Sequence, residues 1–158
     1  MKYNKKVMRY FLKPKNIGEI KNPDGRGQVG NMACGDVMKL TIKIGKKKVK
    51  GKNIEFIKDV KFKTFGCAAA IATSSVVTEL VKGETLEKAL KIKNKEIIRF
   101  LGGLPPVKHH CSLLAEDALA EAIYDYLKKK KRKIPKQLLS RHQKIKKAEK
   151  AFQCKFGK

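Results

Sequence analysis

The chain has 158 residues, enough for one folded domain with a modest core, and 42% of them are hydrophobic. Its 39 lysines and arginines face only 14 acidic residues, and the formal net charge of +25 predicts a polyanionic partner such as nucleic acid, an anionic membrane or an acidic protein. No apolar run approaches the roughly 20 residues of a membrane span, and the first residues lack a signal-peptide core, so we expect a cytoplasmic protein that does not enter a membrane.

The first half of the chain predicts one helix and two strands. A short amphipathic helix should end before Pro14, because Val7, Tyr10 and Phe11 share one face. Residues 21–35 are dense in glycine and asparagine, which favours a surface loop.

Two antiparallel strands are expected next, at residues 36–44 and 53–65, because polar and apolar residues alternate in both. A bulge is predicted at Lys58 and Asp59. The lysine-rich residues 45–52 should connect the two strands.

The second half predicts helices. A helix is expected over 67–83, because this segment is rich in small residues that suit close packing and ends at a glycine. Two short helices should follow, the first capped by Thr85 and the second beginning at Asn94. The longest helix is expected over 112–133, with Ser112 as its N-cap. A small antiparallel meander with an N-terminal helix and several C-terminal helices packed on one side is an α+β fold.

Charge is concentrated at the end of the chain. Residues 128–158 contain 14 lysines and arginines and one acid. We therefore predict a folded domain over 1–127 and a basic extension over 128–158, helical or partly disordered, in which Cys154 is not a metal ligand.

Side chains that can bind a metal or act as nucleophiles lie at the boundaries of three predicted strands and helices. Cys34 and Asp36 precede the first predicted strand, Cys67 precedes a helix, and His110 and Cys111 precede the longest helix. If these ends meet, their thiols, imidazole and carboxylate form a donor set that suits zinc or an iron–sulfur cluster.

Other interpretations stay open at this point. Cys67 and Cys111 adjoin predicted helix N-termini, which favours thiolate for a nucleophile or for a metal ligand, but a cysteine can also simply be a small buried residue. A cysteine protease is disfavoured because His110 and Cys111 are neighbours in sequence, whereas a base must face its nucleophile across space. Lys108 could be a cation near the cluster, but in a chain with 39 lysines and arginines a solvated charge is favoured.

Four segments carry a family resemblance: "ACGDVMKL", "FKTFGCAAAIATSS", "VKGETLEKAL" and "LPPVKHHCSLLAEDAL". In order and in register, they resemble the IscU/NifU N-terminal family of iron–sulfur cluster assembly scaffolds over about residues 1–127. The resemblance implies a carrier rather than an enzyme. Such a carrier accepts sulfur from a cysteine desulfurase, takes iron, builds a transient 2Fe-2S cluster and transfers it to apo-proteins.

The resemblance also assigns roles to residues. By motif position Cys34, Cys67 and Cys111 would be thiolate ligands, and Cys111 would be the persulfide acceptor. Asp36 and His110 would supply the exchangeable fourth contact. Without iron, the same ligands could hold zinc, and the cluster-loaded form could be a homodimer.

One further segment has a role in the family. Leu104, Pro105, Pro106, Val107 and Lys108 match the segment that a DnaK-like chaperone, acting with its J-protein, grips in bacterial members. Two adjacent prolines favour extended backbone, which can enter a peptide groove at little entropic cost. The alternative is a rigid turn that only positions the following cysteine. For the whole chain, the high charge leaves a second hypothesis, a zinc-binding, nucleic-acid-binding basic module.

Overall fold

A computed structural model describes residues 2–31 and 35–156. Its elements are, in chain order, α1 (Lys5–Leu12), β1 (Gly25–Asn31), β2 (Asp36–Val49), β3 (Lys52–Phe65), α2 (Ala68–Val81), α3 (Leu86–Leu90), α4 (Asn94–Phe100), a 3-10 turn (Pro106–Lys108), α5 (His109–Lys129) and α6 (Lys136–Phe156). The strands form one antiparallel sheet in the order β1-β2-β3. The α+β class and the meander are confirmed.

The edge strand β1 corrects the prediction of a loop over residues 21–35. It pairs with β2 from Gly25 opposite Ile42 to Asn31 opposite Asp36. Helix α5 crosses this strand so closely that a Cβ on Gly27 would lie 2.2 Å from the Ala118 carbonyl oxygen. The glycines therefore allow the backbones of β1 and α5 to approach closely and do not form a turn. Nothing within residues 21–35 themselves indicates that α5 will pack there.

Strands β2 and β3 form a long hairpin, and the predicted bulge is confirmed. The pairing shifts register between Lys43 and Ile44, which leaves Lys58 as the extra residue. The prediction of a connection over 45–52 was wrong, because strand pairing continues to Val49 opposite Lys52. Lys50 and Gly51 form the turn, and both have positive φ, as a tight two-residue hairpin turn requires.

The helix starts follow capping chemistry in part. Thr85 accepts a hydrogen bond from the Lys88 amide, so this predicted cap is confirmed. Helix α4 begins at Asn94, as predicted, and the Asn94 amide donates to Glu116 Oε2. Ser112, in contrast, is not a cap. Helix α5 already begins at His109, and the Ser112 hydroxyl donates to the His109 carbonyl inside the first turn.

The hydrophobic core lies between the sheet and the helices. Helix α5 packs on β1 and β2, and α2 packs on β3, α1 and α5. Asn4 caps α1 and also donates to the carbonyls of Leu101 and Gly103, which ties the start of the chain to the loop before the 3-10 turn.

Helix α6 lies against α5. Leu138 is buried with an exposed fraction of 4%, and Arg141 makes ion pairs with Glu116 and Asp117 of α5. His142 binds Glu121 through Nδ1 and stacks on Tyr124 at 3.7 Å between ring centroids. Residues 136–151 are therefore a packed part of the structure, and the division at residue 127 stays a prediction.

None of the helices within residues 2–31 and 35–156 combines the length and the apolar character that crossing a membrane requires.

Candidate functional site

Three element ends meet at one corner of the molecule. Asp36 is the first residue of β2, and the next residue, Val37, pairs with Phe65 at the end of β3. The chain then leads directly to Cys67, the N-cap of α2. Because α5 packs on both α2 and β2, its first turn brings His110 and Cys111 to the same corner. The antiparallel hairpin and the helix packing together assemble the donors.

The donor atoms are close to one another. The two sulfurs of Cys67 and Cys111 lie 3.8 Å apart, and each lies 3.9 Å from Asp36 Oδ2. The Cys111 sulfur is 3.6 Å from His110 Nε2. The ligand atoms of Asp36, His110 and Cys111 all lie within 4.8 Å of one another. The sulfur of Cys67 extends this group on the side of Asp36 and Cys111.

These separations suit a tetrahedral metal ion. Two thiolates bonded to one ion at about 2.3 Å lie about 3.8 Å apart, and a thiolate and an imidazole nitrogen lie about 3.6 Å apart. The sulfur–sulfur and sulfur–nitrogen distances of the site agree with both values. Both thiols are free, and both are soft ligands that bind iron or zinc well. The site therefore fits a thiophilic metal without rearrangement of these two pairs.

The electrostatics of Cys111 differ from the expectation that a helix N-terminus favours thiolate. Burial raises the pKa of the Cys111 thiol well above its ordinary value, and the neighbouring Cys67 and Asp36 raise it further. The side chain is 1% exposed, so the charged form loses nearly all of its hydration. Without a cation in the site, Cys111 is held as a thiol.

Two further side chains interact with the site, and the second of them was not found by sequence reasoning. For Lys108, a solvated charge was favoured over a cation near the cluster, but the negative charge of Cys67 raises the pKa of the Lys108 ammonium, so the two groups interact. Burial, and next the charge of Cys67, raise the pKa of Tyr3. A single lysine among many gives no signal in sequence, and Tyr3 is far from the motifs.

Gly66 makes room for the carboxylate. A Cβ at this position would lie 2.9 Å from both Asp36 Cγ and Asp36 Oδ1, and 2.9 Å from the Ala70 side chain. Glycine thus lets the buried carboxylate rest against the backbone that leads into α2. In the sequence, the glycine directly before Cys67 is the feature from which this role could have been predicted.

The other predicted residues are placed as follows. Cys34 lies outside the described residues, and the side chain of Cys154 is also outside them. The imidazole of His109 points away from the donors and contacts the Leu104 carbonyl at 3.0 Å. Of the two adjacent histidines, only His110 joins the site.

The "LPPVK" segment is only partly extended. Pro105 has φ −54° and ψ 137°, typical of polyproline II, but Pro106–Lys108 form the 3-10 turn. Leu104 is buried, whereas Val107 is 63% exposed. The turn leads directly into α5 and so positions the first turn that carries Cys111.

Comparison with known proteins identifies the family. The family profile described as NifU-like N terminal domain matches residues 2–133. Iron-sulfur cluster assembly scaffold protein IscU 1 of Archaeoglobus fulgidus is 54% identical over 127 residues, which cover 80% of this chain and 78% of that protein. The IscU scaffold of Rickettsia prowazekii is 52% identical over 136 residues, covering 84% and 98% respectively.

Solved structures agree. A crystal structure assigned as a cluster assembly scaffold for the SUF system, from Fervidobacterium islandicum, aligns with a TM-score of 0.59 at 27% identity and covers 77% of this chain and 96% of its own. The N-terminal NifU-like protein of Brucella abortus aligns with a TM-score of 0.57 at 23% identity, over 80% and 94%, and shows the same fold. The chain therefore belongs to the IscU/NifU N-terminal family of iron–sulfur cluster assembly scaffold proteins.

Proposed function

We propose that this chain is a scaffold on which a 2Fe-2S cluster is assembled, held transiently and handed to apo-proteins. One observation carries the proposal: four side chains that can ligate a metal converge at one corner from three separate elements. They are Asp36, Cys67, His110 and Cys111. The scaffold names of its relatives support the same role. The cluster is the cargo of such a protein, so the role is that of a carrier rather than of an enzyme.

The ligand set proposed for the cluster has three thiolates and one weaker donor. Cys67 and Cys111 supply two thiolates, and Cys34, two residues before Asp36 in sequence, is proposed as the third. Asp36 or His110 supplies the exchangeable fourth contact, because carboxylate or imidazole holds iron less firmly than a fourth thiolate would. Weaker holding suits a cluster that must leave.

Sulfur is proposed to enter through Cys111. A cysteine desulfurase carries the sulfur as a persulfide. The Cys111 thiolate attacks the outer sulfur, a new S–S bond forms on Cys111, and the desulfurase cysteine leaves as a thiolate. Because burial and the neighbouring Cys67 and Asp36 raise the Cys111 pKa, the thiol must first lose its proton. Lys108 lowers the same pKa and so favours that loss.

Two further features belong to this proposal. A DnaK-like chaperone with its J-protein would grip residues 104–108, where Val107 offers an exposed apolar side chain. Because Pro106–Lys108 form a 3-10 turn, binding in an extended groove would unwind it and move the first turn of α5. In the iron-free state the donors would hold zinc, and two cluster-loaded chains would form a homodimer.

Anaerobic reconstitution with ferrous iron, cysteine, the desulfurase and a thiol reductant, which supplies the electrons that convert persulfide sulfur to sulfide, tests the proposal. We expect a brown protein with 2Fe-2S absorbance, and loss of that colour in Cys34→Ser, Cys67→Ser and Cys111→Ser. Cys154→Ser is the matched control, since it removes a thiol outside the proposed ligand set, and it should load normally. A colourless, zinc-replete protein that resists iron loading would contradict the proposal and favour the zinc-binding, nucleic-acid-binding alternative.

A further inference from the structure

We propose that the far end of the β2–β3 hairpin binds double-stranded DNA by entering its major groove. We call residues 46–53 the lysine ribbon. It contains five lysines, and its eight residues are consecutively exposed. The exposed lysines are Lys46, Lys47, Lys48, Lys50 and Lys52.

The ribbon is a free two-stranded projection. The edge strand β1 pairs with β2 only as far as Ile42, and in the described structure the last backbone pairing of a third segment with β3 is the isolated bridge between Phe56 and Thr85. Beyond that bridge the hairpin consists of its two strands alone. The tight turn at Lys50 and Gly51 closes it. A projection of this shape has no part in the core, so its lysines are not needed for folding.

The charges of the ribbon are not neutralised inside the described part of the chain. None of its five lysines makes an ion pair there, and Lys47 only lies over the Phe56 ring, 5.0 Å from the centroid. Glu55 pairs in register with Lys46, but its carboxylate already accepts from the Tyr126 hydroxyl and binds Arg132. The ribbon therefore presents an excess of positive charge to a partner.

A second basic cluster adjoins the ribbon. Residues 128–133, here called the basic linker, are all lysines or arginine, and all are exposed. The contact of Arg132 with Glu55 places this cluster beside the base of the ribbon. Of the linker lysines in the described structure, only Lys129 is in an ion pair, with Asp125. Together the ribbon and the linker form one extended cationic surface.

The arrangement favours a DNA duplex over other polyanions. Successive strand residues point to opposite faces, so Lys46 and Lys48 lie on one face of the ribbon and Lys47 and Lys52 lie on the other. A flat membrane would meet only one face. The major groove of B-form DNA, about 12 Å wide, admits a two-stranded ribbon with phosphates on both sides, whereas the A-form RNA groove is too narrow. Lysine makes point contacts with phosphate, so the binding should be independent of sequence.

The surface lies at the end of the molecule opposite the metal-binding corner. Asp36 begins β2 and the ribbon ends it, about 40 Å away at about 3.3 Å per residue. Cys111 is in the first turn of α5 and the linker begins in its last turn, about 25 Å away at 1.5 Å per residue. DNA bound to the ribbon would leave the cluster site open.

The test is fluorescence anisotropy of a labelled 20-base-pair DNA duplex with the intact chain. If about five phosphates are contacted, the slope of log K against log salt should be about −4.5, a loss of roughly 500-fold between 50 and 200 mM salt. In the variant with Lys46→Gln, Lys48→Gln, Lys50→Gln and Lys52→Gln, the slope should become shallower by about 3.6. Unchanged thermal unfolding of the variant would show that its fold is intact.

The matched control removes the same charge elsewhere, through Lys13→Gln, Lys21→Gln, Lys91→Gln and Lys95→Gln. All four lysines are exposed, so the net charge falls equally while the ribbon stays complete. Equal losses in both variants would overturn the proposal, because net charge alone would then explain binding. Tighter binding to an RNA duplex of the same sequence, to phosphatidylserine vesicles or to polyglutamate would also overturn it.

Discussion

At the residue scale, the corner combines strong donors with one that is weakly suited to iron. The buried Asp36 carboxylate lies 3.9 Å from both described site sulfurs, and Gly66 provides the space that it occupies. A carboxylate oxygen is a hard ligand beside soft thiolates, so it can exchange with solvent or with an incoming ligand. We therefore assign cluster release, rather than cluster holding, to Asp36.

The first prediction follows from that assignment. Asp36→Ala should lengthen the lifetime of the loaded cluster by about tenfold, at the low end of effects measured for changes around metal ligands. The measurement is the decay of visible absorbance after exposure to air. Asp59→Ala is the control, because Asp59 pairs with Lys82 away from the site. Faster decay in Asp36→Ala than in the control would show that Asp36 stabilises the cluster.

At the element scale, the fold depends on the close crossing of β1 by α5. A Cβ on Gly27 would meet the backbone atoms Ala118 O at 2.2 Å and Ala122 N at 2.6 Å. Backbone cannot rotate away as a flexible side chain can, so the helix or the strand must shift. The position of α5 matters for the site because its first turn carries His110 and Cys111.

The second prediction is that Gly27→Ala destabilises the protein by about 3 kcal/mol, the upper part of the usual range for overpacking. Gly30→Ala, in the same strand, is the matched control. Its Cβ would lie 3.6 Å from the Asp36 carbonyl, an ordinary contact, so little change is expected. Urea unfolding measures both. Equal stability of the two variants would mean that α5 does not press on β1.

The third prediction concerns the contact between α5 and α6. Arg141→Gln should cost about 2 kcal/mol of stability at pH 7, because Glu116, 6% exposed, loses the nearer of its two charged partners and keeps only Lys93 at 3.6 Å. Lys144→Gln is the control, since Lys144 makes no ion pair within the described residues. Thermal unfolding that is alike in the two variants would contradict a structural role for α6.

The cost of Arg141→Gln should also depend on pH. Burial raises the pKa of Asp117 above its ordinary 3.8, while Arg141 lowers it, so removing the arginine should raise the pKa further. A raised folded-state pKa means that the folded protein favours the protonated acid, and stability falls as pH rises through this range. The variant should therefore lose more stability at pH 7 than at pH 4. A cost that does not change with pH would contradict the ion pair.

The sequence was informative where local chemistry decides structure. The alternation in β2 and β3, the bulge and the Thr85 cap were predicted because each depends on neighbouring residues. Strand β1 was missed because its glycines are required by the close packing of α5, a helix far away in sequence. The start of α5 was misplaced because the 3-10 turn, rather than a capping side chain, leads into it.

At the scale of the whole molecule, two ends have different chemistry. One end gathers Asp36, Cys67, His110 and Cys111, and the other carries the lysine ribbon and the basic linker. The sequence motifs named the four side chains that meet at this corner and allowed Lys108 beside them, but Tyr3 was not found, because only the packing of the chain start brings it near. The separation of the two ends would allow the proposed cluster transfer and the proposed DNA binding to proceed independently.

Cluster transfer is the central claim, and the most direct measurement follows it to an acceptor. The loaded chain is mixed anaerobically with an apo-protein that takes a 2Fe-2S cluster, with an iron chelator present, and the circular dichroism of the acceptor is recorded. We expect the acceptor to gain its cluster as this chain loses its own, faster than it does from free iron and sulfide under the same chelator. Retention of the cluster by this chain, or capture of its iron by the chelator before the acceptor is filled, would contradict the account.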